Sequence, residues 1–164
     1  MTEFHLRYDL ATGAPTYPGS GPADGHAAQQ QMTRDEAGEI VEGILVIPQD
    51  GWNGREVNFP AIAAFYGARI DTAAAVRQVA LRDPARAAID RAQLAEASGT
   101  AGALIKAEAE ATGKTIAAVK QSILDAHAAW LIAAAQIESQ RKAEKARLAA
   151  ATSLPEIVAI VSAT

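Results

Sequence analysis

The chain contains no cysteine, which excludes disulfides, thiolate metal sites and a cysteine nucleophile while leaving the redox compartment open. Aromatic residues supply only 5% of its 164 positions. Hydrophobic residues reach 49%, but much of that share is alanine, whose methyl group contributes little burial free energy. Large side chains able to drive a compact core are therefore scarce. An excess of positive charge is lacking too: the formal net charge is -4 at pH 7, which gives no overall attraction to nucleic acid or to an anionic membrane. No run of about eighteen apolar residues occurs, and the opening MTEFHLRYDL has no basic segment leading into an apolar stretch. The sequence reads as a soluble protein without a signal peptide, with neither nucleic acid nor membrane as partner.

What is present suits helices that pack closely, since alanine permits short distances between helix axes, and it suits burial between subunits. The length allows one domain, or a small domain with a helical extension. Residues 1–58 predict a small strand-rich attachment region and residues 59–164 a helical bundle. In the first part Phe4, Leu6 and Tyr8 alternate with His5 and Arg7, the pattern of a half-buried strand. Asp9-Leu10-Ala11-Thr12-Gly13 supplies turn chemistry before a second extended piece at Pro15–Pro18, so a hairpin is expected. The stretch Gly19–Gly25 breaks regular structure, Ala27–Met32 suits a helical turn, and a third strand is expected around Ile40–Ile47, with Gly43 marking a bulge. Trp52, in the loop Pro48–Gly54, should lie over an apolar surface.

From Pro60 onward Ala, Arg, Gln, Glu and Leu dominate, and these favour helix. Pro60 opens a first helix to about Tyr66, Asp71 is a candidate N-cap for a second, and Asp83-Pro84 starts a third that runs to about Ala97. Another is expected over Ala101–Ala111, ended by Thr112-Gly113, before the longest helix starts at Thr115. Within that last helix Ile116, Ile123, Trp130 and Ile137 recur every seven residues, and Val119, Ala126 and Ala133 stand three residues after the first three. This is the a/d pattern of helices that pack along a seam, and the seven residues are the expected oligomer interface. Leu124 and Leu131 widen the apolar face, which fits a trimer or larger bundle, or packing on the chain's own earlier helices. Ser153-Leu154-Pro155-Glu156 breaks the helix and starts a short terminal one whose Ile157, Ile160 and Val161 must dock somewhere.

Few residues suggest chemistry. Thr112-Gly113-Lys114-Thr115 resembles the end of a phosphate-binding loop, but position 108, where that loop needs glycine, is Glu108. The local alternative is a helix end followed by a helix start. The three histidines, His5, His26 and His127, are not spaced as metal ligands. The carboxylates Asp24, Asp35, Glu36, Glu39 and Glu42 match no calcium loop and read as solvated charge. Arg69, Arg77, Arg82, Arg86 and Arg91 alternate with Asp71, Asp83 and Asp90, which favours ion pairs over phosphate binding. Phe59, Phe65 and Tyr66 read as a small aromatic core. No catalytic residue, metal site or cofactor is expected. An enzyme using carboxylates such as Asp24 and Glu39 is the reading from a different class, and their spacing does not support it.

Two stretches carry a family resemblance. Tyr8-Asp9-Leu10-Ala11-Thr12-Gly13, with Gly21-Pro22-Ala23-Asp24, Gln29-Gln30 and Gly38-Glu39-Ile40-Val41-Glu42-Gly43, resembles the opening of small tail-associated proteins of tailed bacteriophages infecting alphaproteobacteria. Trp130, Ile137-Glu138, Arg141-Lys142 and Ala149–Ile157 are similar to the helix and short terminal helix that close tail-fibre and tail-assembly proteins. Residues 55–112 carry no such likeness. The resemblance implies a non-catalytic structural protein of the virion, in the tail, the tail fibre or the head surface. Such a protein would be assembled in the host cytoplasm, as a homo-oligomer attached to other virion proteins. The alternative it implies is a tail or tail-fibre assembly chaperone absent from the mature particle.

Overall fold

The computed structural model describes residues 3–19, 35–39 and 41–163. The expected helical turn at Ala27–Met32, most of the Gly19–Gly25 break, Asp24, His26 and Ile40 lie outside the described residues. The protein is 66% helical, with five helices and a small antiparallel sheet among the described residues. The strands are β1 (Glu3–Asp9), β2 (Pro15–Gly19) and β3 (Glu42–Pro48), and the helices are α1 (Phe59–Ala80), α2 (Ala87–Ser98), α3 (Ala103–Thr112), α4 (Ile116–Ala150) and α5 (Leu154–Val161). Mainly helical architecture, a strand-rich N-terminal part and one long C-terminal helix are thus all present. Composition changes where strands give way to helices near residue 58. Spatially the chain forms two compact units: Met1–Asp71 with Lys142–Thr164, and Thr72–Arg141.

The first unit grows from the β1–β2 hairpin. Asp9 Oδ1 accepts hydrogen bonds from the backbone N–H groups of Ala11 (3.0 Å) and Thr12 (2.7 Å) and from the Thr12 hydroxyl (2.8 Å). The Thr12 bonds are the main reason its carboxyl sits below the usual aspartate range. Gly13 follows with φ 71°, a left-handed conformation that glycine adopts without a steric penalty. The sheet order is β2-β1-β3. Pro15 and Pro18 lie in β2, at an edge, where a missing N–H costs no ladder bond. On the other edge the Tyr66 hydroxyl of α1 donates to the Val46 carbonyl at 2.6 Å. Glu42 is buried, and its carboxylate accepts from the Thr16 hydroxyl at 2.6 Å with Arg7 3.9 Å away.

Gly43 has a different role from the bulge its composition suggests. It pairs with Tyr8 in unbroken β1–β3 register, and the irregularity falls between Arg7 and Tyr8 on the β2 side. The phenol end of the Tyr8 side chain lies against Gly43, so a Cβ there would overlap Tyr8 Cζ, Oη and Cε1. Gly43→Ala is therefore expected to destabilise the first unit by about 1–3 kcal/mol, the usual cost of overpacking. Urea unfolding should show this as a lowered midpoint with unchanged slope.

Leu6, Tyr8, Leu45 and Ile47 of the sheet close one core with Ile62, Tyr66 and Ile70 of α1, Leu148 of α4 and Leu154, Ile157 and Ile160 of α5. Phe59, Phe65 and Trp52 pack at its margin, as expected of them. Two further expectations fail: Glu42, read as solvated charge, is buried in the sheet, and α1 is a single helix, with Asp71 inside it instead of capping a second one. The Asp71 carboxylate accepts from Lys145 Nζ of α4 at 2.6 Å, and the stem of the same lysine passes Gly67, one turn earlier, at ordinary contact distance. A side-chain partner on another helix thus takes up the carboxylate that the sequence suggested for a helix start. The start of α5 is as expected, with Ser153 and Glu156 bonding reciprocally to each other's backbone N–H. Backbone donors, Thr152 first, hold the Glu156 carboxyl below its ordinary range.

Candidate functional site

The second unit, Thr72–Arg141, holds the stripe that the heptad spacing singled out. Its own core is small: Ala97 of α2, Ile105 and Ala109 of α3 and Val119 of α4, with Ala101, Ile123 and Leu124 against them. Local bonds fix these helices. Asp83 caps the turn Pro84–Arg86 by accepting from Ala85 N at 2.9 Å, and α2 continues from that turn. Glu96 of α2 reaches over to the start of α3 and accepts from Ile105 N at 3.0 Å. It supplies an acceptor to a helix end that has no cap of its own. Gly102 makes this possible, because a Cβ there would overlap the Glu96 carboxylate.

Thr112-Gly113-Lys114-Thr115 is a joint between helices. The Thr112 hydroxyl donates to Glu108 O at 2.7 Å, Gly113 ends α3 with φ 67°, and Thr115 Oγ1 accepts from Ala118 N at 3.2 Å at the start of α4. Glu108 itself accepts from Gln93 Nε2 of α2 at 2.9 Å. Thr112, Gly113 and Thr115 are thus engaged in helix ends, and Glu108 in a helix-to-helix bond.

The seven stripe residues have unequal surroundings. Val119 is 1% exposed and belongs to the core. Ile123, Trp130, Ala133 and Ile137 are half-buried, while Ile116 and Ala126 are exposed. Ile123, Ala126 and Trp130 share a groove of about 360 Å³ with His127 and with Leu81, Arg82, Asp90 and Leu94. Trp130 stacks on His127, ring centroids 5.6 Å apart, and the Arg82 guanidinium lies 4.8 Å from its indole centroid. Arg82 also pairs with Asp90 at 3.2 Å, and Arg86 approaches the same carboxylate at 3.9 Å, so the expected ion pairing forms at these two arginines. The indole Nε1, His127 Nδ1 and Arg77 Nε and Nη2 are buried without a hydrogen-bond partner. Such groups cost about 1–3 kcal/mol each when left unpaired. The spacing of the stripe identified Trp130 and Ile123, but nothing in the sequence paired them with Arg82 or Leu94, which come from the other wall.

Asp35 is taken up in a turn, accepting from Ala37 N at 3.0 Å and Glu39 N at 2.9 Å. Among the described residues no three His, Asp or Glu side chains gather as metal ligands, and no helix is long and apolar enough to cross a membrane. Searches of family models, curated proteins and solved structures give no match to this chain.

Proposed function

We propose that the chain is a non-catalytic structural protein of a tailed-phage particle, in the tail, tail fibre or head surface. It would act by self-association through its helical unit and by attachment to neighbouring virion proteins. One observation carries the self-association. Residues 72–141 fully bury only Ile105 and Val119 among their larger apolar side chains, alongside three alanines. The same unit leaves Val76, Val79, Leu81, Ile89, Leu104, Ile116, Leu131 and Ile132 exposed. Covering a Val, Leu or Ile contributes about 1.5–3 kcal/mol, so a partner surface would supply the burial that the unit lacks. The stripe Ile116, Val119, Ile123, Ala126, Trp130, Ala133 and Ile137 would add subunit contacts where it is open, at Ile116, Ala126 and the groove around Trp130. The assignment to a phage particle rests on the resemblance of the two terminal stretches.

Light scattering of the purified protein at about 100 µM, well above the micromolar Kd of a modest interface, should give a mass at least twice that of one chain. A single-chain mass would overturn self-association. Mass spectrometry of purified virions tests the location: the chain should be found in them, and its absence would favour the assembly chaperone.

A further inference from the structure

A second stripe runs along the opposite side of α4. Ala118, Asp125, Ile132 and Ser139 recur every seven residues, with Gln121, Ala128 and Ala135 three residues after the first three, and all seven are exposed. Ile132 is 61% exposed. Of the exposed residues between Ile116 and Gln140, only Asp125 carries a charge. A helix face left to solvent ordinarily carries Lys, Glu and Arg. Here small and uncharged side chains surround one open isoleucine, a composition that lets a second helix approach within about 8 Å.

We infer that this outer face of α4 is an interface with a second copy of the chain, the two α4 helices packing antiparallel about Ile132. The inference rests on the self-association proposed above and adds a second contact surface to the open part of the inner stripe named there. Charge decides both occupant and direction. In a parallel pair each Asp125 would face its counterpart at a core position, a like-charge contact that destabilises. In an antiparallel pair centred on Ile132, residues equally far before and after it face each other, so Asp125 meets Ser139, seven residues away on either side. Asp125 Oδ1 already accepts from Gln121 Nε2 at 2.8 Å, and the Ser139 hydroxyl of the second copy would donate to the remaining oxygen. The two Asp125 carboxylates would then stand about 21 Å apart along the axis, at about 1.5 Å per residue. That is beyond the screening length of about 8–10 Å. The face therefore holds its own complement, which is the requirement of a two-fold interface.

The absence of cysteine makes the test direct, since one introduced thiol is the only one present. Ile132→Cys should convert to a disulfide-linked dimer under mild oxidation. It should do so far faster than Lys106→Cys, an exposed control on α3. Asp125→Cys should link to Ser139→Cys when the two are mixed, and not to itself. Circular dichroism of each variant confirms that the helices are intact. Self-linking of Asp125→Cys at the rate of Ile132→Cys would overturn the antiparallel arrangement. Linking of Ile132→Cys no faster than the control, in a protein whose unmodified form is oligomeric by light scattering, would overturn this face and leave self-association standing. A monomeric unmodified protein would remove both.

Discussion

Ile157→Ala should be among the most damaging single substitutions in the chain, lowering the stability of the first unit by about 2–5 kcal/mol, the range for deleting a buried isoleucine side chain. The reason lies in how α5 is held. With the eight residues Leu154–Val161 it is far shorter than the roughly 12–15 residues below which an isolated helix is marginal in water, so its cap and its packing must stabilise it. Leu154 and Ile157 are 0% exposed and Ile160 4%, and all three enter the core built by the sheet, α1 and Leu148. Removing the central one leaves a cavity bordered by elements that are themselves pinned by strand pairing, which limits collapse into the space. Urea unfolding followed by far-ultraviolet circular dichroism should show the loss. Hydrogen exchange should show amides of 154–161 opening before those of β1 and β3. If the variant unfolds at the same urea concentration as the parent, the docking of α5 described above is wrong.

The features legible in the sequence were those set by local chemistry. Asp9-Leu10-Ala11-Thr12-Gly13 announces a turn because its carboxylate and glycine act within five residues. Ser153-x-x-Glu156 announces a helix start for the same reason, as does Gly113 for a helix end. Asp71 shows where this kind of reading stops. A cap and a mid-helix partner for a distant lysine look identical in sequence, and only the approach of Lys145 distinguishes them. Gly43 is a second case, since the need for a missing side chain comes from Tyr8, thirty-five positions away in the chain. The heptad stripe of α4 is a third. Spacing identifies residues that share a face of a helix, but not the surface that covers them. Val119 is covered within its own chain, Ile116 is open, and the uncharged outer face at Ala128 and Ile132 carries a weaker signal because alanine fits any surface.

Trp130→Ala should cost on the order of 3 kcal/mol, at the lower end of the range for removing a large aromatic because the indole is half-buried. Three contributions disappear together: the apolar surface of the indole in the groove it lines with Ile123 and Leu94, the stacking on His127, and the cation–π contact with Arg82, the last about 0.5–1 kcal/mol where exposed and more where desolvated. Part of the loss is offset, because the indole N–H that has no acceptor is removed with the ring. Trp130→Phe keeps one six-membered aromatic ring and lacks that donor, so it should recover more than half of the stability. Thermal unfolding of the two variants beside the parent measures this order directly, parent first, then phenylalanine, then alanine. Association separates the two faces of α4. If the outer face joins the copies, Trp130→Ala lowers the melting temperature while the mass measured below it stays that of the oligomer. Dissociation of folded Trp130→Ala to single chains would instead put the subunit contact on the inner stripe, with Trp130 at its centre.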